Sequence, residues 1–115
     1  INLETRQLTY EATLDLLARH PDLRGIYCAG GGMEGAIAAV REARAPGEVA
    51  LVVNELTPES RAALIGRHVT MVIGTPLPRL CDDLVRLAAE TVSDGMTPVQ
   101  GQHFLQPDLY LPESV

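Results

Sequence analysis

Apolar residues recur along the chain at two periods, and the two alternate. Over residues 5–19, Leu8, Ala12 and Leu16 form one stripe, with Thr13 and Leu17 adjoining it, which predicts an amphipathic helix. Pro21 stops it, because proline cannot continue an α-helix and restrains the residue before it. Residues 24–28 read as a short buried strand and 33–44 as a helix, with Ile37 and Val40 at i, i+3. After an "APGE" turn, residues 49–53 are apolar without interruption, the pattern of a strand covered on both faces. Thr57-Pro58-Glu59 opens the next helix: Thr57 is placed to cap it, Pro58 suits its first position, and it ends near Gly66. Residues 69–73 are a third buried strand. A long helix follows from about Pro78, with Leu80, Leu84, Leu87 and Ala88 on one side and Gly95 as its C-cap. The stretch 103–111 is extended, with Phe104 and Leu109 as its apolar anchors.

Strands alternating with helices at this spacing imply right-handed crossovers and a parallel sheet with helices on both faces, a three-layer α/β architecture. The first helix has no strand before it, and only three central strands are clear. The expected unit is therefore incomplete, its sheet finished by a partner chain or by sequence outside these residues. Composition agrees with a folded piece of this size. The chain has 115 residues, one domain or less, with 46% hydrophobic and 21% charged residues. A net charge of −6 opposes binding to a phosphate backbone, and 3% aromatic residues without tryptophan oppose a base-stacking platform. Cys28 and Cys81 lie far apart in apolar contexts and read as free thiols. No apolar run is long enough to span a membrane and no signal peptide is visible. A chain that opens on Ile1 reads as a piece of something longer.

In open parallel sheets, ligands bind beyond the carboxyl ends of the strands. Three loops are expected there: Cys28-Ala29-Gly30-Gly31-Gly32, Asn54-Glu55-Leu56, and Gly74-Thr75-Pro76. Glu55 can accept hydrogen bonds from hydroxyls, and Asn54 can both donate and accept. A Glu55 that only solvates its loop or favours a helix N-terminus is an equal alternative. The glycines admit three readings. Gly30 to Gly35 satisfies G-x-G-x-x-G, and Glu55 stands about where a ribose-binding acid would, although this strand is not the first of the sheet. A slim loop with bare backbone N–H groups could instead admit a polyol. Or glycine could let the helix pack tightly. Chemistry at the site has little support. Cys28 ends a strand without a nucleophile-elbow motif, and His20, His68 and His103 read as surface residues. No metal-ligand cluster is apparent, so no catalytic residue, metal or cofactor is expected.

Four stretches in order, "LLARHPDLRGIYCAGGGMEGAIAAVREA", "VALVVNELTPESRAAL", "VTMVIGTPLPRLCDDLVRLAAETVSDG" and "LYLPESV", together resemble the effector-binding region of bacterial LacI-family transcription regulators, which share a fold with periplasmic sugar-binding proteins. The resemblance covers essentially the whole chain and corresponds to the last portion of such a regulator. It implies a partial effector-binding domain, with about 1–70 and 101–115 in the C-terminal subdomain and about 71–100 contributing to the N-terminal one. It also implies a cytoplasmic homodimer that binds a sugar-like small molecule and controls operator affinity allosterically, touching DNA only through an N-terminal domain absent here. Glu55 matches by charge the acidic residue that relatives place after the corresponding strand. Where relatives offer Asn or Asp, this chain has Cys28, Ala29 and Gly30. Where they offer Gln or Asp after "VI", it has only the Thr75 hydroxyl. These departures point to a less polar effector, an altered sugar, or contacts from the rest of the cleft. The expected ligand-binding residues are thus Cys28, Ala29, Gly30, Asn54, Glu55 and Thr75. The alternatives are a periplasmic solute-binding protein of a transporter, and a nucleotide-binding enzyme fragment that rests on the glycine match alone.

Overall fold

The computed structural model describes residues 2–93 and 101–115; Gly95, the expected C-cap, lies outside them. Helix α1 spans Arg6–Arg19 and starts where Thr5, in an extended conformation, accepts a hydrogen bond from the Leu8 amide at 3.3 Å. Strand β1 is Gly25–Cys28, α2 is Met33–Ala43, β2 is Ala50–Asn54, α3 is Pro58–Ile65, β3 is Met71–Gly74, α4 runs over Leu77–Ser93 and β4 is Asp108–Tyr110. A 3-10 turn at Pro112–Ser114 closes the chain. The sheet order is β1-β2-β3-β4, with β1–β2 and β2–β3 parallel. This is the expected α/β class with parallel central strands, and a short fourth strand is added beside β3.

The chain forms two compact units: Ile1–Gly74 with Leu109–Val115, and Thr75–Asp108. In the first unit, consecutive parallel neighbours joined by right-handed crossovers place α2 and α3 on one face of the sheet. That face carries Leu51, Val53 and Val72, each 0% exposed, packed with Ile37, Val40 and Leu64 from the helices and Leu17 from α1. The opposite face carries Tyr27, Val52 and Met71 in register. Tyr27 is 57% exposed and Val52 only half-buried, so the expectation that β2 is covered on both faces is corrected. An uninterrupted apolar run does not separate a doubly covered strand from one whose second face is partly open.

The buried face of α1 also differs from the expected stripe. Thr9, Thr13 and Leu17 are buried, while Leu8 is exposed. At the start of α1 the backbone of α2 comes close, with Gly32 and Gly35 against Thr5, Arg6, Thr9 and Tyr10, and the small Thr9 side chain suits that contact; Leu17, further along, reaches the core. Both hydroxyls are satisfied inside α1: Thr9 Oγ1 donates to the Thr5 carbonyl at 2.6 Å and Thr13 Oγ1 to the Thr9 carbonyl at 2.7 Å. Back-bonding of this kind removes the cost of burying a hydroxyl.

At the C-terminus the expected anchors are corrected as well. Phe104 and Leu109 are exposed, whereas Tyr110 and Val115 pack against the core of the first unit. Arg67 pairs with Glu113 at 2.9 Å beside them. In the second unit α4 has no buried residue, and Leu80 and Leu84 of its apolar side are exposed. Polar contacts join the helix to the extended segment: His103 to Asp83 at 2.8 Å and Arg79 to Asp108 at 3.0 Å.

Candidate functional site

The site is built from the carboxyl ends of β1 and β2. Asn54 is the last residue of β2 and is half-buried. Its Oδ1 accepts a hydrogen bond from the Tyr27 hydroxyl at 3.2 Å. The register explains the contact: Tyr27 is level with Val52, so Asn54, two residues on, projects from the same face. Tyr27 thus fixes the Asn54 amide and leaves its N–H groups free to donate. Sequence reasoning missed Tyr27 in this role, although its spacing from Cys28 carried the parity.

Glu55 has φ +70°, in the left-handed region that glycine favours. Three features hold it there. Its N–H donates to the Ile73 carbonyl at 2.9 Å, its own carbonyl accepts from Ser60 Oγ at 2.9 Å, and α3 is locked by reciprocal capping between Thr57 and Ser60. The carboxylate stays exposed beyond the sheet. A non-glycine residue in this conformation costs about 1–3 kcal/mol and persists only where its surroundings enforce it. Glu55→Gly is therefore expected to raise unfolding stability by about 1 kcal/mol in urea titrations. Unchanged or lower stability would show that the conformation carries no strain.

The β1–α2 loop offers little side-chain chemistry. Cys28 is 8% exposed and joins the hydrophobic core. Burial first, and the nearby Glu34 carboxylate second, push its thiol pKa up, so it stays protonated. What Cys28, Ala29 and Gly30 present outward is backbone and one methyl group. Two of the glycines are explained by α1. A Cβ on Gly32, at φ +83°, would lie 2.7 Å from the Thr5 carbonyl and closer still to Thr9 Oγ1. On Gly35 it would lie 2.8 Å from the Tyr10 nitrogen and closer still to the Arg6 carbonyl. Tight helix packing, one of the three readings of G-x-G-x-x-G, accounts for these positions without a nucleotide.

Glu4 is a further residue at this loop that sequence reasoning missed. Its Oε1 lies 2.5 Å from where a Cβ on Gly30 would stand. Leu3 and Glu4 both have left-handed backbones, at φ 49° and 56°, and no residue type there announces it. The structure brings Cys28, Ala29, Gly30, Asn54 and Glu55 together at adjacent strand ends of the first unit. Thr75 opens the second unit, where its carbonyl accepts from the Leu77 amide at 2.8 Å at the start of α4.

A groove of ≈ 180 Å³ under α1 is lined by Thr9, Thr13, Tyr27 and Cys28 among others, below the roughly 300 Å³ of an ordinary ligand pocket. Among the described residues no cluster of three or more His, Cys, Asp or Glu could hold a metal ion, and no helix is long and apolar enough to cross a membrane.

An α/β unit with polar residues at the carboxyl ends of parallel strands defines a class of ligand-binding folds, and comparison with known proteins gives the family. The periplasmic binding protein domain family matches residues 1–95, and the chain belongs to it. No protein with a curated description matches the chain. Among solved structures, a glucose-galactose binding protein from Geobacillus stearothermophilus is similar over 99% of this chain and 40% of its own, at 16% identity and a TM-score of 0.81. An ABC transporter periplasmic solute binding protein from Actinobacillus succinogenes, solved with bound D-allose, is similar over 98% and 39%, at 18% identity and a TM-score of 0.79. The periplasmic binding protein of an arabinose ABC transporter from Shewanella is similar over 95% and 37%, at 20% identity and a TM-score of 0.73. The chain spans about two fifths of the length of these proteins.

Proposed function

We propose that this chain forms one wall of a binding cleft for a small, hydroxyl-rich solute of the sugar class, and that it binds this solute without chemical change. The observation that carries the reading is the pair Asn54–Glu55. Two polar side chains stand at the end of an otherwise apolar strand: the Asn54 amide is held by Tyr27, and the Glu55 main chain is held by Ile73 and Ser60 in a left-handed conformation that leaves its carboxylate exposed. Glu55 accepts from sugar hydroxyls, and Asn54 donates through the amide N–H groups that Tyr27 leaves free. The side-chain-poor β1–α2 loop beside them lets a ring approach the backbone. Sugars named for the solved neighbours support the solute class, and the ABC transporter setting of two of them supports a solute-binding protein of a transporter as the whole molecule.

The ordered sequence series ending in "LYLPESV" favours a second reading, the effector-binding region of a LacI-family regulator. There the chain acts in a cytoplasmic homodimer, Thr75 joins the effector contacts, and DNA is bound by a separate N-terminal domain. The coding sequence upstream of Ile1 discriminates: a helix-turn-helix supports the regulator, an export signal the transporter protein.

The test common to both readings is an NMR titration of the 115-residue chain with D-galactose, D-allose and L-arabinose at millimolar concentration. The expected result is shift changes confined to the amides of Gly30–Gly32 and Asn54–Leu56, lost in Glu55→Ala. No response to any of the three, or changes elsewhere, overturns the proposal. Unchanged affinity in Glu55→Ala removes Glu55 from the site.

A further inference from the structure

The β1–α2 loop has no polar side chain from Cys28 to Gly32, yet it does not lack a polar group. We infer that Glu4, reaching over from the segment before α1, is the side-chain ligand contact of this lip, and that it tunes the site toward polyols bearing an amino group. The inference rests on the cleft reading above.

Three observations place Glu4 there. Its carboxylate occupies the space that a side chain on Gly30 would take, with Oε1 2.5 Å and the carboxyl carbon 3.2 Å from the Cβ position of such a side chain. Its main chain and Cβ lie against Gly31, the Cβ 3.1 Å and the carbonyl oxygen 3.3 Å from a Cβ position there. The segment is also fixed rather than merely adjacent. The Glu4 amide donates to Asn2 Oδ1 at 3.0 Å, and Asn2 Nδ2 donates to the buried Thr9 hydroxyl at 2.8 Å. That ties Glu4 to the same face of α1 that packs on α2. Glu4 thus fills the side-chain space of both glycines, with its carboxylate at Gly30 and its Cβ and main chain at Gly31.

The chemistry follows from the group. A carboxylate only accepts hydrogen bonds, so it takes hydroxyl or ammonium donors and repels anions. A bond from an ammonium is charge-assisted and about twice as strong as a neutral one. Residues 28–32 and 54–56 contribute no Lys or Arg, and neither Glu4 nor Glu55 forms an ion pair among the described residues.

The experiment titrates the 115-residue chain with D-galactose and with D-galactosamine at neutral pH, comparing wild type and Glu4→Gln. Wild type is expected to bind D-galactosamine more tightly than D-galactose. Glu4→Gln should weaken D-galactosamine binding by about tenfold and shrink its advantage over D-galactose at least threefold, with the thermal midpoint unchanged. A purely structural Glu4 would alter both sugars alike or shift the midpoint. Equal binding of each sugar by the two proteins overturns the inference and leaves the cleft reading standing. Binding of neither sugar by wild type overturns both.

Discussion

Replacing Gly35 by alanine is expected to cost about 3 kcal/mol of unfolding stability. The sign is the opposite of what helix propensity implies. Gly35 lies inside α2, and Gly→Ala in a helix interior ordinarily stabilises by roughly 0.5–1 kcal/mol. Here the added methyl would meet backbone on α1, 2.8 Å from the Tyr10 nitrogen and nearer still to the Arg6 carbonyl. Backbone atoms of a packed helix cannot swing aside as a side-chain tip can, so α1 would have to separate from α2. The separation would also expose Thr9 and Thr13 and carry Glu4 off the glycine loop. Urea unfolding of the variant checks the size, and amide exchange in α1 checks the mechanism. Stability equal to or above wild type would mean that the two helices are not in this contact.

Leu64→Ala should be of similar size, also about 3 kcal/mol. Helix α3 has eight residues and buries only Ser60, Ala63 and Leu64. Leu64 is 0% exposed and is the only large apolar side chain that the helix commits to the core. Truncating it leaves a cavity between α3 and the β2–β3 surface. The neighbouring Ile65 is 62% exposed, so Ile65→Ala should change stability by no more than about 0.5 kcal/mol. The pair forms an internal control: equal effects would place Leu64 outside the core. Because Ser60 of the same helix holds the Glu55 carbonyl, loosening α3 should also weaken the proposed binding of sugar at the Asn54–Glu55 loop.

Legibility followed the range of each interaction. The start of α3 was readable because capping acts within one turn: Thr57, Pro58 and Ser60 carry that information themselves. The meeting of the loops after β1 and β2 at one edge of the sheet was readable because alternating strands and helices imply a parallel sheet. The buried stripe of α1 was misassigned because leucines at helical spacing look like a core face. In the folded chain the neighbouring helix comes close over the first turns of α1, so Thr9 and Thr13 line the buried face there and only Leu17, further along, reaches the core. The anchors of the tail were misassigned for a related reason, since Tyr110 and Val115 find the core only after β4 has docked beside β3. Glu4 was not legible at all. It is separated from Gly30 by the whole of α1, and nothing in its local sequence marks it.

By itself, then, the sequence determined the order of elements, the α/β class, the caps of α3 and the strand ends where Asn54 and Glu55 stand. These depend on contacts within a few residues or on periodicity along one element. Only the tertiary structure decided which face of α1 is buried, why Gly32 and Gly35 carry no side chain, how Tyr27 holds Asn54, and that a carboxylate lies over Gly30. Each of these depends on how closely two distant backbone segments approach. That distance is set by packing the core to solid density, and no local pattern encodes it.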